Sequence, residues 1–180
     1  MQVINTQHPE VLLLRPKVFG DARGFFFESY NREAFARIGI TAEFVQDNHS
    51  RSAKGVLRGL HYQISQPQGK LVRVTAGEVF DVAVDLRRSS PHFGRVASFR
   101  LSAESHDMAW IPPGFAHGFQ VLSEHAEFLY KTTDYYAPEF ERCLRWNDPA
   151  LAIDWPLDGA PLLSAKDQAG LPLAECEVFA

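Results

Sequence analysis

The side chains in this sequence that could do chemistry are a histidine, a lysine, a tyrosine and several carboxylates, and together they point to proton transfer. Between Gln46 and Asp85 the chain sets Gln46, Asn48, Arg58, His61, Lys70, Asp81 and Asp85 among short apolar runs; Tyr130 follows in Phe128-Leu129-Tyr130-Lys131. A neutral imidazole can take a proton from a carbon α to a carbonyl if the enolate oxygen that forms is stabilised. A desolvated ammonium at that oxygen does this, and each well-placed charge or donor is worth roughly 3–4 kcal/mol. A phenol is neutral at pH 7 and can return a proton from the opposite face. A carboxylate on the other imidazole nitrogen would orient the base. Each residue also has an ordinary reading: His61 as a structural strand histidine, Lys70 as a solvated edge lysine, Tyr130 as a core aromatic. Likewise Asp167 could be only a capping-box acid, and His117 could serve only to hold the Pro-Gly turn before it.

The elements that must position these groups are mostly strands. Lys70–Val74 and Val79–Leu86 alternate as half-buried strands do. In the second, Phe80, Val82, Val84 and Leu86 share one face, and Asp81, Ala83 and Asp85 share the other. That acidic face suits either solvent or the concave interior of a sheet. Val11–Leu14 reads as a strand stopping before Pro16. Phe25-Phe26-Phe27 reads as a strand with aromatic surface on both faces, either covered by a partner or buried inside a two-sheet core. Asn31–Ile38 is the best helix, capped by Asn31 and closed by Gly39, with Phe35 and Ile38 on one face. Asp148-Pro149 predicts a second short helix, and Ser164-Ala165-Lys166-Asp167 a third through a capping box. Short strands at sandwich spacing, with no repeat and no linker, predict one all-β domain over residues 1–180, a jelly roll with a few short peripheral helices.

Composition narrows the field. The formal net charge of -4 argues against a nucleic-acid partner. No apolar run is long enough to span a bilayer, and the N-terminus lacks signal-peptide character. The two cysteines, Cys143 and Cys176, make no disulfide framework; a cytoplasmic protein is expected. A jelly roll with Pro112-Pro113-Gly114-Phe115-Ala116-His117 is similar to the cupins, whose metal site wants two histidines one residue apart and then a carboxylate. Here His61-Tyr62-Gln63 is followed by Lys70, and an ammonium repels a divalent cation. No metal and no other cofactor is expected in the reaction.

These residues also carry a family resemblance. Asp21-Ala22-Arg23-Gly24-Phe25 with Glu28, Gln46-Asp47-Asn48, Gly55–Gln63, Lys70-Leu71-Val72 and Asp81–Arg87 resemble the dTDP-4-dehydrorhamnose 3,5-epimerases. So do Ile111–Phe119, Tyr130-Lys131, Asp134-Tyr135-Tyr136, Trp146–Pro149 and Ser164–Asp167. The resemblance runs from about Arg23 to the C-terminus. It implies a metal-free cupin-type jelly roll that epimerises C3 and C5 of a dTDP-4-keto-6-deoxyhexose, the third step toward dTDP-L-rhamnose. It implies His61 as base backed by Asp167, Tyr130 as acid, and Lys70 at the 4-keto oxygen. It further implies that Arg58, His117 and Lys166 contact sugar or diphosphate, and that Gln46, Asp47, Asn48 and Glu141 hold the nucleotide. Tyr136 would stack on thymine, and Asp81 would join the polar lining near Lys70. Phe19, Arg23 and Glu28 would reach the neighbouring subunit's site in a homodimer. One difficulty is geometric: strict alternation puts Arg58 and His61 on opposite faces. A bulge or bend at Gly59 is therefore predicted.

Overall fold

The computed structural model describes residues 1–180, and it is built almost wholly of strands. In chain order they are β1 (Gln2–Asn5), β2 (Leu12–Arg15), β3 (Phe19–Asp21) and β4 (Gly24–Phe26), then helix α1 (Arg32–Ala36). There follow β5 (Gln46–Ala53), β6 (Leu57–Gln63), β7 (Lys70–Ala76), β8 (Glu78–Asp85), β9 (Val96–Ser102) and β10 (Met108–Ile111). β11 (Phe115–Val121), β12 (His125–Thr132), β13 (Glu141–Cys143) and helix α2 (Ala165–Gln168) complete the chain. Two sheets carry the architecture, one ordered β1-β2-β10-β7-β12-β5 and the other β13-β6-β11-β8-β9; β3 and β4 form a separate hairpin. This is the expected all-β jelly roll of the cupin type. No helix is long and apolar enough to cross a membrane.

Alternation along the strands sorts the apolar residues into three layers. Val72 and Val74 of β7, Val79 and Ala83 of β8, Phe119 of β11 and Phe128 of β12 pack between the two sheets. Val82, Val84 and Leu86 face the other way, against Leu144, Leu151 and Trp155 from the C-terminal third. On the back of the larger sheet, Leu14, Leu71, Met108 and Trp110 pack under Phe35 of α1 and Ile40. The acidic face of β8 is thus interior, not solvated: Asp81 and Asp85 are fully buried. Its apolar face is covered by the C-terminal segment, which explains why the strand can be so hydrophobic on both sides of the pleat.

The helix at Asn31 forms as the cap predicted, with Asn31 Oδ1 accepting from the Ala34 N–H at 3.1 Å, although it ends at Ala36, short of the expected Ile38. The capping box at Ser164 also forms. The expected helix at Asp148-Pro149 does not. Asp148 is buried and accepts from the Ala150 and Leu173 N–H groups at 3.0 and 2.7 Å. Those bonds hold a single turn that breaks where Ala152 takes a positive φ of 48°. The phenylalanine run is not inside the sandwich either, for Phe25 and Phe26 are 63% and 68% exposed on the β3–β4 hairpin.

Candidate active site

The site is positioned first by an irregularity in β6. Between His117 and Phe119 of β11 the partner residues step from His61 to Arg58, so β6 carries one extra residue. Leu57 and Leu60 therefore both join the outer cluster, and Arg58 and His61 both turn inward to one cleft. This is the bulge expected at Gly59. Glycine is required there: its φ is +112°, and an added Cβ would lie 2.6 Å from the His117 carbonyl oxygen. Gly118 returns the favour on β11, where a Cβ would meet the Arg58 carbonyl oxygen at 2.4 Å.

The cleft holds about 620 Å³, within the range of small-molecule sites. Its lining includes Gln46, Asn48, Arg58, His61, Tyr130, Tyr136, Glu141, Lys166 and Asp167. His61 Nε2 lies 2.8 Å from Asp167 Oδ1, approaching off the line of a regular hydrogen bond. Asp167 divides its carboxylate between two tasks. Oδ2 accepts from the Ser164 N–H and hydroxyl at 3.1 and 2.6 Å, which caps α2, while Oδ1 accepts from the Gly59 N–H at 3.0 Å and faces His61. Burial pushes its pKa up, but the bonds from His61, Ser164 and Gly59 outweigh burial and hold it far below the ordinary carboxylate range. Asp167 thus caps α2 with one oxygen and faces His61 with the other.

Lys70 lies deeper, its Nζ donating to the His61 carbonyl at 3.5 Å. Burial lowers its pKa to about 8, against the opposing pull of Asp81 and Glu141. Tyr130, inward on β12, has its pKa raised by burial despite nearby Arg58, so its phenol keeps its proton. Glu141 is raised by burial but lowered further by bonds from Lys166 and Tyr136; the Tyr136 hydroxyl donates to it at 3.0 Å and Lys166 Nζ contacts it closely. Gln46 accepts from the Tyr136 N–H at 3.0 Å and donates to Asn48 at 2.9 Å. One wall of the cleft is thus a connected polar frame with Arg58 and Lys166 as its cations.

Several expected site residues stand elsewhere. His117 and Asp81 lie beneath the cleft, 7% and 0% exposed, with His117 Nε2 2.9 Å from Asp81 Oδ1. Burial first, then Lys70 and His61, lower the His117 pKa. Asp47 faces away from the cleft, because β5 alternates Gln46 and Asn48 inward and Asp47 outward, where Lys131 donates to it at 2.9 Å. Phe19, Arg23 and Glu28 are outside this chain's cleft: Phe19 and Arg23 sit on the exposed hairpin, with Arg23 paired to Asp21, and Glu28 accepts from Asn31 at 3.0 Å. The cleft also takes in Val56, Gln68, Leu162 and Leu163, which no local pattern singles out. Leu162 arrives through a bridge to Val56, a pairing only the folded chain reveals.

Two clusters have the residue types of a metal site. His61, Cys143 and Asp167 bring their ligand atoms within 4.8 Å of one another, as do His8, Glu10 and Asp85. In the second, Arg87 already donates to Glu10 and Asp85 at 2.7–2.9 Å.

A cupin-type jelly roll with an imidazole–carboxylate pair, a buried ammonium and a phenol at one mouth is the architecture of a proton-transferring isomerase. Residues 5–175 match the family model for dTDP-4-dehydrorhamnose 3,5-epimerase. The chain is 68% identical over 172 residues to the dTDP-4-dehydrorhamnose 3,5-epimerase of Pseudomonas aeruginosa, covering 95% of each. It superposes with a TM-score of 0.95, at 56% identity, on dTDP-6-deoxy-D-glucose-3,5-epimerase from Legionella pneumophila in complex with dTDP-4-keto-L-rhamnose, covering 98% of this chain and 94% of that one. It also resembles ChmJ, a 3'-monoepimerase from Streptomyces bikiniensis in complex with dTDP-quinovose, at 32% identity and a TM-score of 0.87 over 97% and 88% of the two chains. The chain belongs to the dTDP-4-dehydrorhamnose 3,5-epimerase family.

Proposed function

We propose that this enzyme converts dTDP-4-dehydro-6-deoxy-D-glucose to dTDP-4-dehydro-L-rhamnose by epimerising C3 and C5, in dTDP-L-rhamnose synthesis, as a single-domain cytoplasmic protein. The observation that carries the reading is the His61–Asp167 pair at 2.8 Å, set at one mouth with Lys70 below and Tyr130 in the same cleft. The 4-keto group acidifies the C–H bonds on both neighbouring carbons, so one set of groups serves each in turn. Asp167 engages one nitrogen of His61 and the other removes the proton. Lys70 meets the developing enolate oxygen, a step its desolvation favours because the ammonium has little water to give up. Tyr130 returns a proton to the opposite face, which inverts the centre.

Arg58 and Lys166 are assigned to the diphosphate, and Tyr136 to the thymine face. Gln46, Asn48 and Glu141 frame the nucleotide. His117 acts through Asp81 and Lys70 to keep the floor of the cleft polar. Phe19, Arg23 and Glu28 complete the neighbouring site in a homodimer; the exposed aromatic rings of the hairpin are the surface such a partner would cover.

Incubation with substrate in deuterated buffer tests the assignment. Deuterium at both C3 and C5 is expected, with His61→Asn losing both while still binding dTDP. Label at C3 alone would favour the second reading, a one-carbon epimerase, which the likeness to the 3'-monoepimerase keeps in view.

A further inference from the structure

Lys70 Nζ lies 3.5 Å from the His61 carbonyl oxygen, and an ammonium repels a divalent cation. Another set of donors gathers around the His61 ring. His61 lies on β6 and Cys143 on β13, and the two are directly paired across the strands. Asp167 approaches from α2 and completes a triangle of nitrogen, sulfur and oxygen atoms, all within 4.8 Å of one another. Four-coordinate zinc takes such ligands at about 2.0–2.3 Å, so donors this close need only small side-chain adjustments to meet at one ion. His61 Nε2 has Asp167 Oδ1 beside it at 2.8 Å, off the line of a regular hydrogen bond, and Oδ1 otherwise accepts from one backbone N–H. The neighbouring cations are countered: Lys166 contacts Glu141, and Asp81 and Glu141 face Lys70. The His8–Glu10–Asp85 cluster offers nothing comparable, since Arg87 already uses its carboxylates.

We propose that His61, Cys143 and Asp167 form a binding site for a thiophilic divalent cation, zinc or cadmium, and that its occupation switches the enzyme off. The metal binds the sulfur of Cys143, whose thiol proton leaves to solvent, an oxygen of Asp167, and the Nε2 lone pair of the imidazole tautomer that carries its proton on Nδ1. The fourth position faces the cleft. An imidazole bound in this way can no longer accept a proton from substrate. No redox step is involved, and a chelator that removes the ion restores the base. A thiol must give up its proton to bind a metal, so affinity rises with pH.

The inhibitory part rests on the epimerase reading; the binding part does not. Titration of the intact enzyme with cadmium, followed by the ultraviolet band of a cadmium–thiolate, reads binding without turnover. One equivalent of cadmium producing that band is expected, with binding tightening as pH rises. Cys143→Ser should lose the band and weaken zinc binding at least about a hundredfold, the share of one ligand in a four-ligand site. In the deuterium-exchange assay, zinc should inhibit the wild type reversibly with EDTA. Cys143→Ser should keep basal exchange and resist zinc by the same factor. Absence of a thiolate band, or equal zinc affinity in wild type and Cys143→Ser, overturns the proposal. A band with no epimerase turnover in untreated enzyme would leave the metal site standing and remove the catalytic reading instead.

Discussion

Lys70 carries its charge at a cost in stability. Burial holds its pKa at about 8, below the 10.5 of an unfolded chain, so the folded state binds that proton less tightly. The cost of carrying the charge is therefore full below pH 8, shrinks between about 8 and 10.5, and is absent above. Lys70→Met should raise the thermal midpoint at neutral pH, with the gain fading as pH approaches 10.5. Deuterium exchange should fall roughly 10²–10³-fold, the loss typical of one stabilising donor. In the wild type, kcat/KM should decline as pH rises through about 8, where the ammonium is lost; a rate that stays flat to pH 10 would rule out the charged form as the active one. Tyr130→Phe separates removal of the proton from its return: label exchange should persist while net inversion drops. Part of this scale is legible from residue type: His61, Lys70 and Tyr130 are candidates by the chemistry they can do, whereas Asp167 reads locally as a capping acid and becomes the partner of His61 only through the family resemblance. Depth is not legible. His117 follows a Pro-Gly turn like a surface ligand, yet β11 turns it inward to Asp81, and no local signal reports how far below the cleft it lies.

At the level of elements, local pattern predicts what local bonds decide. The caps at Asn31 and Ser164 form because their partners lie three residues away, and the strands at Lys70 and Val79 form because their alternation matches the pleat. The bend at Gly59 is predicted from a conflict between alternation and function, and it is confirmed by the extra residue in β6. Gly59→Ala should destabilise the fold by more than the ~1–3 kcal/mol of a disfavoured φ, because its Cβ meets backbone on β11; denaturant titration measures this. Asp167→Ala should cost about 1–2 kcal/mol through the lost cap and, separately, slow exchange about 10²–10⁴-fold through the lost partner of His61. Where distant chain intervenes, pattern fails. Asp148-Pro149 carries a helix signal, but Leu173 claims the Asp148 carboxylate and a lone turn results. Asp47 belongs to a promising Gln-Asp-Asn triplet, yet strand parity sends it to the outer face and Lys131.

For the whole molecule, the three layers assign separate duties to the chain. The space between the sheets supplies rigidity below and the cleft above. The outer face of the larger sheet is closed by α1, and that of the smaller sheet by the C-terminal third. The β3–β4 hairpin remains with its aromatic rings in solvent. Phe26→Ser should weaken self-association of the chain in sedimentation while leaving the thermal midpoint of the folded subunit near its original value; unchanged association would remove the hairpin from the dimer interface. The jelly roll is legible from strand spacing and turn residues. The path of the C-terminal third is not, because it has few strands and its course is set by the surface it covers. That path has a temporal side. Gly59 and Asp167, joined by one hydrogen bond, are 108 positions apart, so a ribosome finishes most of the sandwich before the carboxylate exists. A chain cut before Ser164 would contain every strand segment yet leave the Gly59 N–H and His61 without the carboxylate that joins them.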